Sequence, residues 1–339
     1  MCIAVTGSIA TDHQMVFPGR FTNDFLPGQS AGPLAGATMS MVVESLDVRP
    51  GGGAANIAFG LGRLGHRPAL VGAVGTDFGE YRGWLERHGV DTSWLRVSVT
   101  RSTARILSTV DDSDNRIVSL YAGALAEAHA IELSAVERGI DLVMIAPGDA
   151  RAMLAHAAEC RRLGYRFAVD PAPQLGRISG AELRSLVAGA EYVFASADNA
   201  AVLLATTGWS RAELLDRVGM WVVTHGADGV RLATANAEEV TVAAVPGRVA
   251  VDKHGVADAF RAGFLSGLGW HLDATRSAQV GCLLAAMALE TRGSQDYQLD
   301  PDTFCKRLDE AYGPSAAADL DRKLTPLRPS EEHCIRGYN

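Results

Sequence analysis

The sequence predicts an α/β protein: a doubly wound, mostly parallel β-sheet with helices on both faces, plus a small β-sheet lid. Three observations predict it. From about residue 140 onward, short apolar runs alternate regularly with segments of helical spacing, the pattern of strands that lie beneath crossover helices. Two β-rich stretches, residues 15–50 and 97–120, interrupt the first part of that alternation. Finally, 339 residues with 47% hydrophobic and 21% charged side chains can bury a large core.

The elements follow in order. Residues 2–6 form an apolar run closed by Gly7 and read as a buried strand. The stretch to Pro50 holds several Gly and Pro residues with weak periodicity. Gly51-Gly52-Gly53 then leads into residues 54–64, which have helical spacing. Residues 69–74 read as a second strand and 78–88 as a second helix. Ile106, Thr109 and Val110, then residues 117–120, flank the acidic turn Asp111-Asp112-Ser113-Asp114, a hairpin signal with a polar tip. The two β-rich stretches are expected to pair as a small sheet over one mouth of the core.

Strands are then expected at 141–146, 166–170, 192–195 and 221–224, with a hairpin over 230–235 and 240–245. Helices are expected at 150–162, 180–187, 200–206, 255–268, 275–289 and 301–311. This divides the chain into a core (1–14, 51–96 and 121–312), a lid (15–50 and 97–120) and a polar, partly disordered tail (313–339).

The net charge of -8 and the absence of a basic run argue against a nucleic-acid partner. Cys2, Cys160, Cys282, Cys305 and Cys334 are scattered, with no metal-ligand spacing, and fit reduced thiols. The first ten residues lack a charged n-region and are too short for a signal segment, and no apolar run is long enough to span a bilayer. A soluble, cytoplasmic protein is the expectation.

Four segments carry chemistry. In Gly255-Val256-Ala257-Asp258, small residues open an amphipathic helix. The first turn of a helix has free N–H groups and partial positive charge, so it attracts an anion. A carboxylate in that turn, Asp258, suits removal of a proton from a hydroxyl that attacks phosphorus. In Arg49-Pro50-Gly51-Gly52-Gly53-Ala54-Ala55-Asn56, glycines allow close backbone approach and Asn56 offers a donor and an acceptor, as a sugar diol requires. Asp12, just beyond the first strand, can accept from vicinal hydroxyls. Thr224-His225-Gly226-Ala227-Asp228-Gly229 forms a loop that can lie against nucleotide phosphates. Taken alone, the 255–258 segment and Asp12 fit an ordinary helix start or turn as well, the glycine-rich segment fits a flexible turn better, and the 224–229 loop is a weak signal.

In this order and spacing, these segments resemble the ribokinase-like (PfkB) family of sugar and nucleoside kinases. The runs at residues 3–13, 207–210 and 258–265 match it best, and the bacterial adenosine kinases are the most similar branch. The resemblance covers the chain to about residue 312. It implies ATP- and Mg²⁺-dependent phosphorylation of a nucleoside or sugar hydroxyl. It makes Asp258 the base and Gly255, Val256 and Ala257 the anion hole. It places Asp12, Gly52, Gly53, Asn56, Ile106, Leu120 and Arg177 toward substrate, and Thr224, Gly226, Gly229, Ser196 and His254 toward nucleotide. No residue is assigned to metal. The β-rich stretches become the lid, through which a homodimer is expected.

The sequence departs from the family at four points. Ala257 stands where Gly usually precedes the catalytic Asp, at a cost of about 1–2 kcal/mol if its φ is positive. Lys253-His254 replaces small residues. The family's Asn-x-x-Glu motif reads Ser196-Ala197-Asp198-Asn199, and Ile106 and Leu120 take the place of purine-stacking aromatics. These changes leave two alternatives to a kinase of shifted specificity. One is a protein that binds a nucleoside or sugar phosphate and catalyses another reaction without ATP. The other is a non-catalytic ligand sensor.

Overall fold

A computed structural model of the chain describes residues 1–24, 40–137 and 139–328. Cys334 and part of the 15–50 stretch lie outside these residues. The chain begins with β1 (Ile3–Thr6) and β2 (Ala10–Val16), a short helix α1 (Phe21–Asp24) and β3 (Ser45–Gly51). There follow α2 (Gly53–Arg63), β4 (Ala69–Gly75), α3 (Gly79–Arg87), β5 (Leu95–Ser98), β6 (Ala104–Val110) and β7 (Arg116–Tyr121). Next come β8 (Leu142–Ile145), α4 (Ala150–Leu163), β9 (Phe167–Val169), α5 (Gly180–Val187), β10 (Tyr192–Ser196), α6 (Ala197–Thr207) and α7 (Arg211–Leu215). The chain then runs through β11 (Met220–Thr224), β12 (Val230–Thr234), β13 (Ala237–Val242), α8 (Val256–Gly269), α9 (Ala274–Leu289), α10 (Pro301–Tyr312) and α11 (Pro314–Leu324).

Among the described residues, nine strands form one sheet in the order β13-β12-β11-β10-β9-β8-β1-β4-β5, parallel except for the terminal hairpin at β12 and β13. Strand alternation separates two cores. Ile3, Val5, Leu142, Met144, Tyr192 and Phe194 face one side, packed beneath α2, α3, α8, α9, α10 and α11. Ala4, Val143, Ile145, Val193 and Ala195 face the other, beneath α4, α5, α6 and α7. A strand buried on both faces has no polar side to show, hence the unbroken apolar runs in the sequence. The chain leaves β1 toward β4 on one side and returns through β8 on the other. The crevice beyond the carboxyl end of β1 is therefore the switch point, where ligands bind in such sheets.

The second sheet has four strands among the described residues, in the order β3-β2-β6-β7. It begins at Ala10 and ends at Tyr121, and Val97 belongs instead to β5 of the large sheet. Residues 111–114 form the hairpin tip between β6 and β7, with Asp114 at φ 59.

The polar tail expected after residue 312 is corrected in part. Residues 314–324 form α11, because Ala316, Leu320 and Leu324 recur every four residues and are buried against the core. Residues 329–339 lie outside the described residues. No helix among the described residues is long and apolar enough to cross a membrane. Cys2, Cys160, Cys282 and Cys305 are free thiols.

Candidate active site

Helix α8 starts at Gly255, which has φ 72. Its Cβ position is also closed, lying 2.7 Å from the Cα of Ser294. Only glycine adopts this turn without strain, so the glycine fixes where the helix begins. The first intrahelical bond runs from Ala259 N–H to the Gly255 carbonyl at 2.8 Å, and no side chain caps the start. The amides of Val256, Ala257 and Asp258 therefore precede the helix ladder and are left to bind an anion. Ala257 lies within the helix and is not among the positive-φ residues. The backbone strain considered for Ala257 does not arise, because Gly255 carries the left-handed turn.

Asp258, in that first turn, has a side chain 17% exposed. Its Oδ2 accepts from Asn56 Nδ2 at 2.9 Å, and its Oδ1 lies 3.8 Å from Arg261 Nη1. Arg261 is committed elsewhere, pairing with Asp170 at 2.5 Å just beyond β9. Burial pushes the Asp258 carboxyl up to about 6, against the pull of Arg261 and the Asn56 bond.

Asn56 comes from the glycine-rich start of α2. Gly52 has φ 92, and a Cβ there would lie 2.6 Å from the Ala10 amide, so the close crossing of β2 requires glycine. Across the crevice, Asp12 and Gln14 on β2 face the same way as Ile106 and Ser108 on β6, in register Asp12↔Ile106 and Gln14↔Ser108. Burial pushes Asp12 up to about 6 as well, with Asp258 and Asp252 adding to the rise and His254 opposing it. Asp12 Oδ1 and Ser108 Oγ are buried without a partner. In a polar cleft, such orphans mark where a ligand's hydroxyls and amides would bind.

A cavity of about 190 Å³ gathers these groups. Asp12, Gln14, Gly52, Gly53, Asn56, Ile106, Ser108, His254, Gly255 and Asp258 line it. Gln14 and Ser108 were missed from sequence, because they lie on strands whose facing could be read only once the register was known. His254 ties the loop before α8 to the smaller sheet: its Nδ1 donates to Asp252 at 2.6 Å and its Nε2 receives Arg116 of β7 at 3.3 Å. It therefore lies against lid and substrate cavity together, where the sequence reading placed it toward nucleotide.

The other expected residues lie apart from this cavity. Leu120 pairs directly with Ile106 and shares its face of the sheet, but on the outer strand β7 it is 51% exposed and does not line the cavity. Arg177 is an exposed residue of the loop after β9. Ser196 and Thr224 sit side by side at the carboxyl ends of β10 and β11. The loop after them turns on Gly226 at φ 60 and Gly229 at φ 89. These four lie at the carboxyl-terminal edge of the large sheet, the edge on which Asp170 beyond β9 pairs with Arg261 of α8.

A carboxylate beside free helix amides, at the switch point of a doubly wound sheet, is the arrangement of a phosphotransferase that acts on an alcohol group. Residues 19–300 match the pfkB family of carbohydrate kinases, and the chain belongs to that family. It is similar to a nucleoside kinase of Methanothermobacter thermautotrophicus, 29% identical over 269 residues that cover 78% of this chain and 85% of that one. It is also similar to a fructokinase of Salmonella typhimurium, 29% identical over 65% of this chain and 76% of that one. Among solved structures, Burkholderia thailandensis nucleoside kinase in complex with inosine superimposes with a TM-score of 0.81 at 27% identity. That match covers 92% of this chain and 98% of the other. A structure of the same protein is described in complex with ADP-inosine. The chain is accordingly a sugar or nucleoside kinase.

Proposed function

We propose that the chain transfers the γ-phosphoryl group of ATP to a ribose hydroxyl of a nucleoside. The observation that carries this reading is the shared cavity: Asp258 at the α8 amides lies within reach of a ligand held by Asp12, Asn56 and the Gly52–Gly53 backbone. The orphaned oxygen of Asp12 and the amide of Asn56 suit vicinal hydroxyls. Asp258 takes the proton of the attacking hydroxyl as the new O–P bond forms and the bond to the departing ADP breaks. The amides of Val256, Ala257 and Asp258 hold the developing negative charge. Thr224, Gly226, Gly229 and Ser196 face the nucleotide, with Arg177 on the same rim. Ile106, Gln14 and Ser108 line the far end of the cavity, where hydrogen bonds stand in for aromatic stacking on the base. That exchange favours a substrate other than adenosine itself.

Magnesium fits less well. Ser196 Oγ accepts the Asn199 amide at 3.3 Å as a helix cap, and Asp198 is exposed in the next turn. Among the described residues, no group of three His, Cys, Asp or Glu side chains converges on a metal. A magnesium ion would depend on nucleotide phosphates and water rather than on a protein cage.

The test is direct. Purified protein is incubated with ATP, Mg²⁺ and a panel of nucleosides and sugars, and ADP is measured. The reading expects nucleoside-dependent ADP that Asp258→Asn abolishes. Equal ADP from the two proteins would refute it.

We further propose that the outer face of the four-stranded sheet pairs two copies of the chain. Leu46, Val48, Ile117 and Tyr121 alternate with the cavity-facing residues and are 59%, 52%, 44% and 45% exposed. An exposed apolar patch of this kind on a sheet face marks a protein interface.

A further inference from the structure

Behind Asn56 lies a buried chain of hydrogen bonds that reaches Asp258 from outside the cavity. Trp84 Nε1 donates to Gln295 Oε1 at 3.0 Å. Gln295 Nε2 donates to Asn56 Oδ1 at 2.9 Å and to the Tyr81 hydroxyl at 2.6 Å. Asn56 Nδ2 donates to Asp258 Oδ2 at 2.9 Å. Gln295 is 2% exposed and Asn56 6%.

This chain can run in one direction only. An indole N–H is a donor and nothing else, so Gln295 must turn its oxygen to Trp84 and its nitrogen to Asn56. The same orientation is enforced from a second side. The Tyr81 hydroxyl spends its one hydrogen on the Gly51 carbonyl at 2.9 Å, and so must accept from Gln295. With its oxygen held by Gln295, Asn56 can present only N–H to Asp258. Ser294 Oγ also reaches Asn56 Oδ1 at 2.9 Å, but its hydroxyl can turn instead to the Pro50 carbonyl at 3.2 Å. Ser294 alone therefore fixes nothing.

We propose that Trp84, Tyr81 and Gln295 are positioning residues whose one-way chain locks the Asn56 amide toward Asp258 Oδ2, leaving Oδ1 as the oxygen that receives the substrate proton. The role of Oδ1 rests on the phosphotransfer reading above; the polarity of the chain does not. Without the lock, Asn56 turns its carbonyl to the carboxylate for part of the time. The carboxylate then loses a donor and meets an acceptor, which favours its protonated form.

The charged and titratable groups around Asp258 are Arg261 on its own helix, His254 in the same cavity, Asp170 beyond β9, Asp12 on β2, Tyr81 on α3 and Tyr297 in the segment before α10. Gln295→Met, close in shape and uncharged, leaves all of them in place. The test is a ¹³C NMR titration of aspartate-labelled protein, with Asp258 assigned from Asp258→Asn, alongside the pH profile of kcat/KM.

In folded Gln295→Met, the Asp258 titration and the acid limb of the profile are expected to move up together by about one pH unit. A Trp84→Phe/Tyr81→Phe double variant removes both anchors while keeping Gln295, and is expected to shift in the same direction. An unmoved Asp258 titration in either folded variant overturns the proposal, because a merely structural role would lower the melting temperature and leave the titration unchanged. A wild-type chain that forms no ADP, but whose Asp258 titration shifts in these variants, keeps the chain of bonds and removes the phosphotransfer reading.

Discussion

Asp258 and Asp12 are raised for the same physical reason: each carboxylate sits in a half-closed crevice where burial disfavours its charge. Asp258 and Asp252 add to the rise at Asp12, and Asp170 adds to the rise at Asp258. A base must be ionised to work. Phosphotransfer is therefore expected to fall away as pH drops through about 6, a profile that initial rates between pH 5 and 8 would trace. Replacing Asp258 by Asn should lower kcat by on the order of 10²–10⁴.

The same residue should be costly to the fold. Its folded-state pKa lies above the unfolded value of 3.8, so the native state holds a proton that the unfolded chain releases, and stability declines as pH rises from about 4 to about 6. Asp258→Asn escapes that decline. The variant should melt higher than wild type at pH 7.5, by at most about 3 kcal/mol, with the gain gone by pH 4. Thermal unfolding at the two pH values checks this. At this scale the sequence revealed Asp258, Asp12 and Asn56 through helix-start and glycine chemistry. It did not reveal Gln295, Trp84 or Ser108, because nothing local distinguishes a buried glutamine that orients an active-site amide from any other polar side chain.

Among the elements, the start of α8 shows how one residue's conformation decides another's tolerance. Gly255 takes the left-handed turn and Ala257 is helical, so Ala257 is no liability. Ala257→Gly is expected to leave activity in place and lower stability by about 0.5–1 kcal/mol. Gly255→Ala, strained and colliding with Ser294, should cost more than 2 kcal/mol. Chemical denaturation of both variants separates these outcomes.

Helix α11 makes a second prediction. Ending the chain at Gly313 uncovers the surface that Ala316, Leu320 and Leu324 bury, and should cost about 3–6 kcal/mol, read as a lower denaturation midpoint. The regular strands and helices were legible because period 2 and period 3.6 are written into the apolar pattern. Strand β2 and helix α11 were not. The Ala10–Val16 strand turns Asp12 and Gln14 toward a polar cavity and Thr11 and His13 to its other face, so neither face reads as apolar. The α11 stretch is mostly small or charged, with just three buried positions.

At the scale of the molecule, the smaller sheet supplies one wall of the cavity, and the starts of α2 and α8 with the loop before α8 supply the other. The smaller sheet turns Asp12, Gln14, Ile106 and Ser108 inward and Leu46, Val48, Ile117 and Tyr121 outward. If its outer face joins two copies, Ile117→Lys together with Leu46→Lys should convert a dimer into a monomer, as measured by sedimentation. Since those side chains point away from the cavity, the monomer should still bind nucleoside.

The sequence by itself determined the class of fold, the start of α8 with its first-turn carboxylate, and the glycine-bounded approach of Asn56. Each of these depends on near-neighbour chemistry: a period, a helix start, or a residue that alone tolerates positive φ. Tertiary structure alone decided which polar groups share the cavity, that His254 bridges to the lid through Arg116, and that Trp84 governs the orientation of an amide beside Asp258. Those facts depend on register between strands far apart in sequence and on hydrogen bonds joining residues 84, 295, 56 and 258. No local pattern encodes the direction in which such a chain of donors runs.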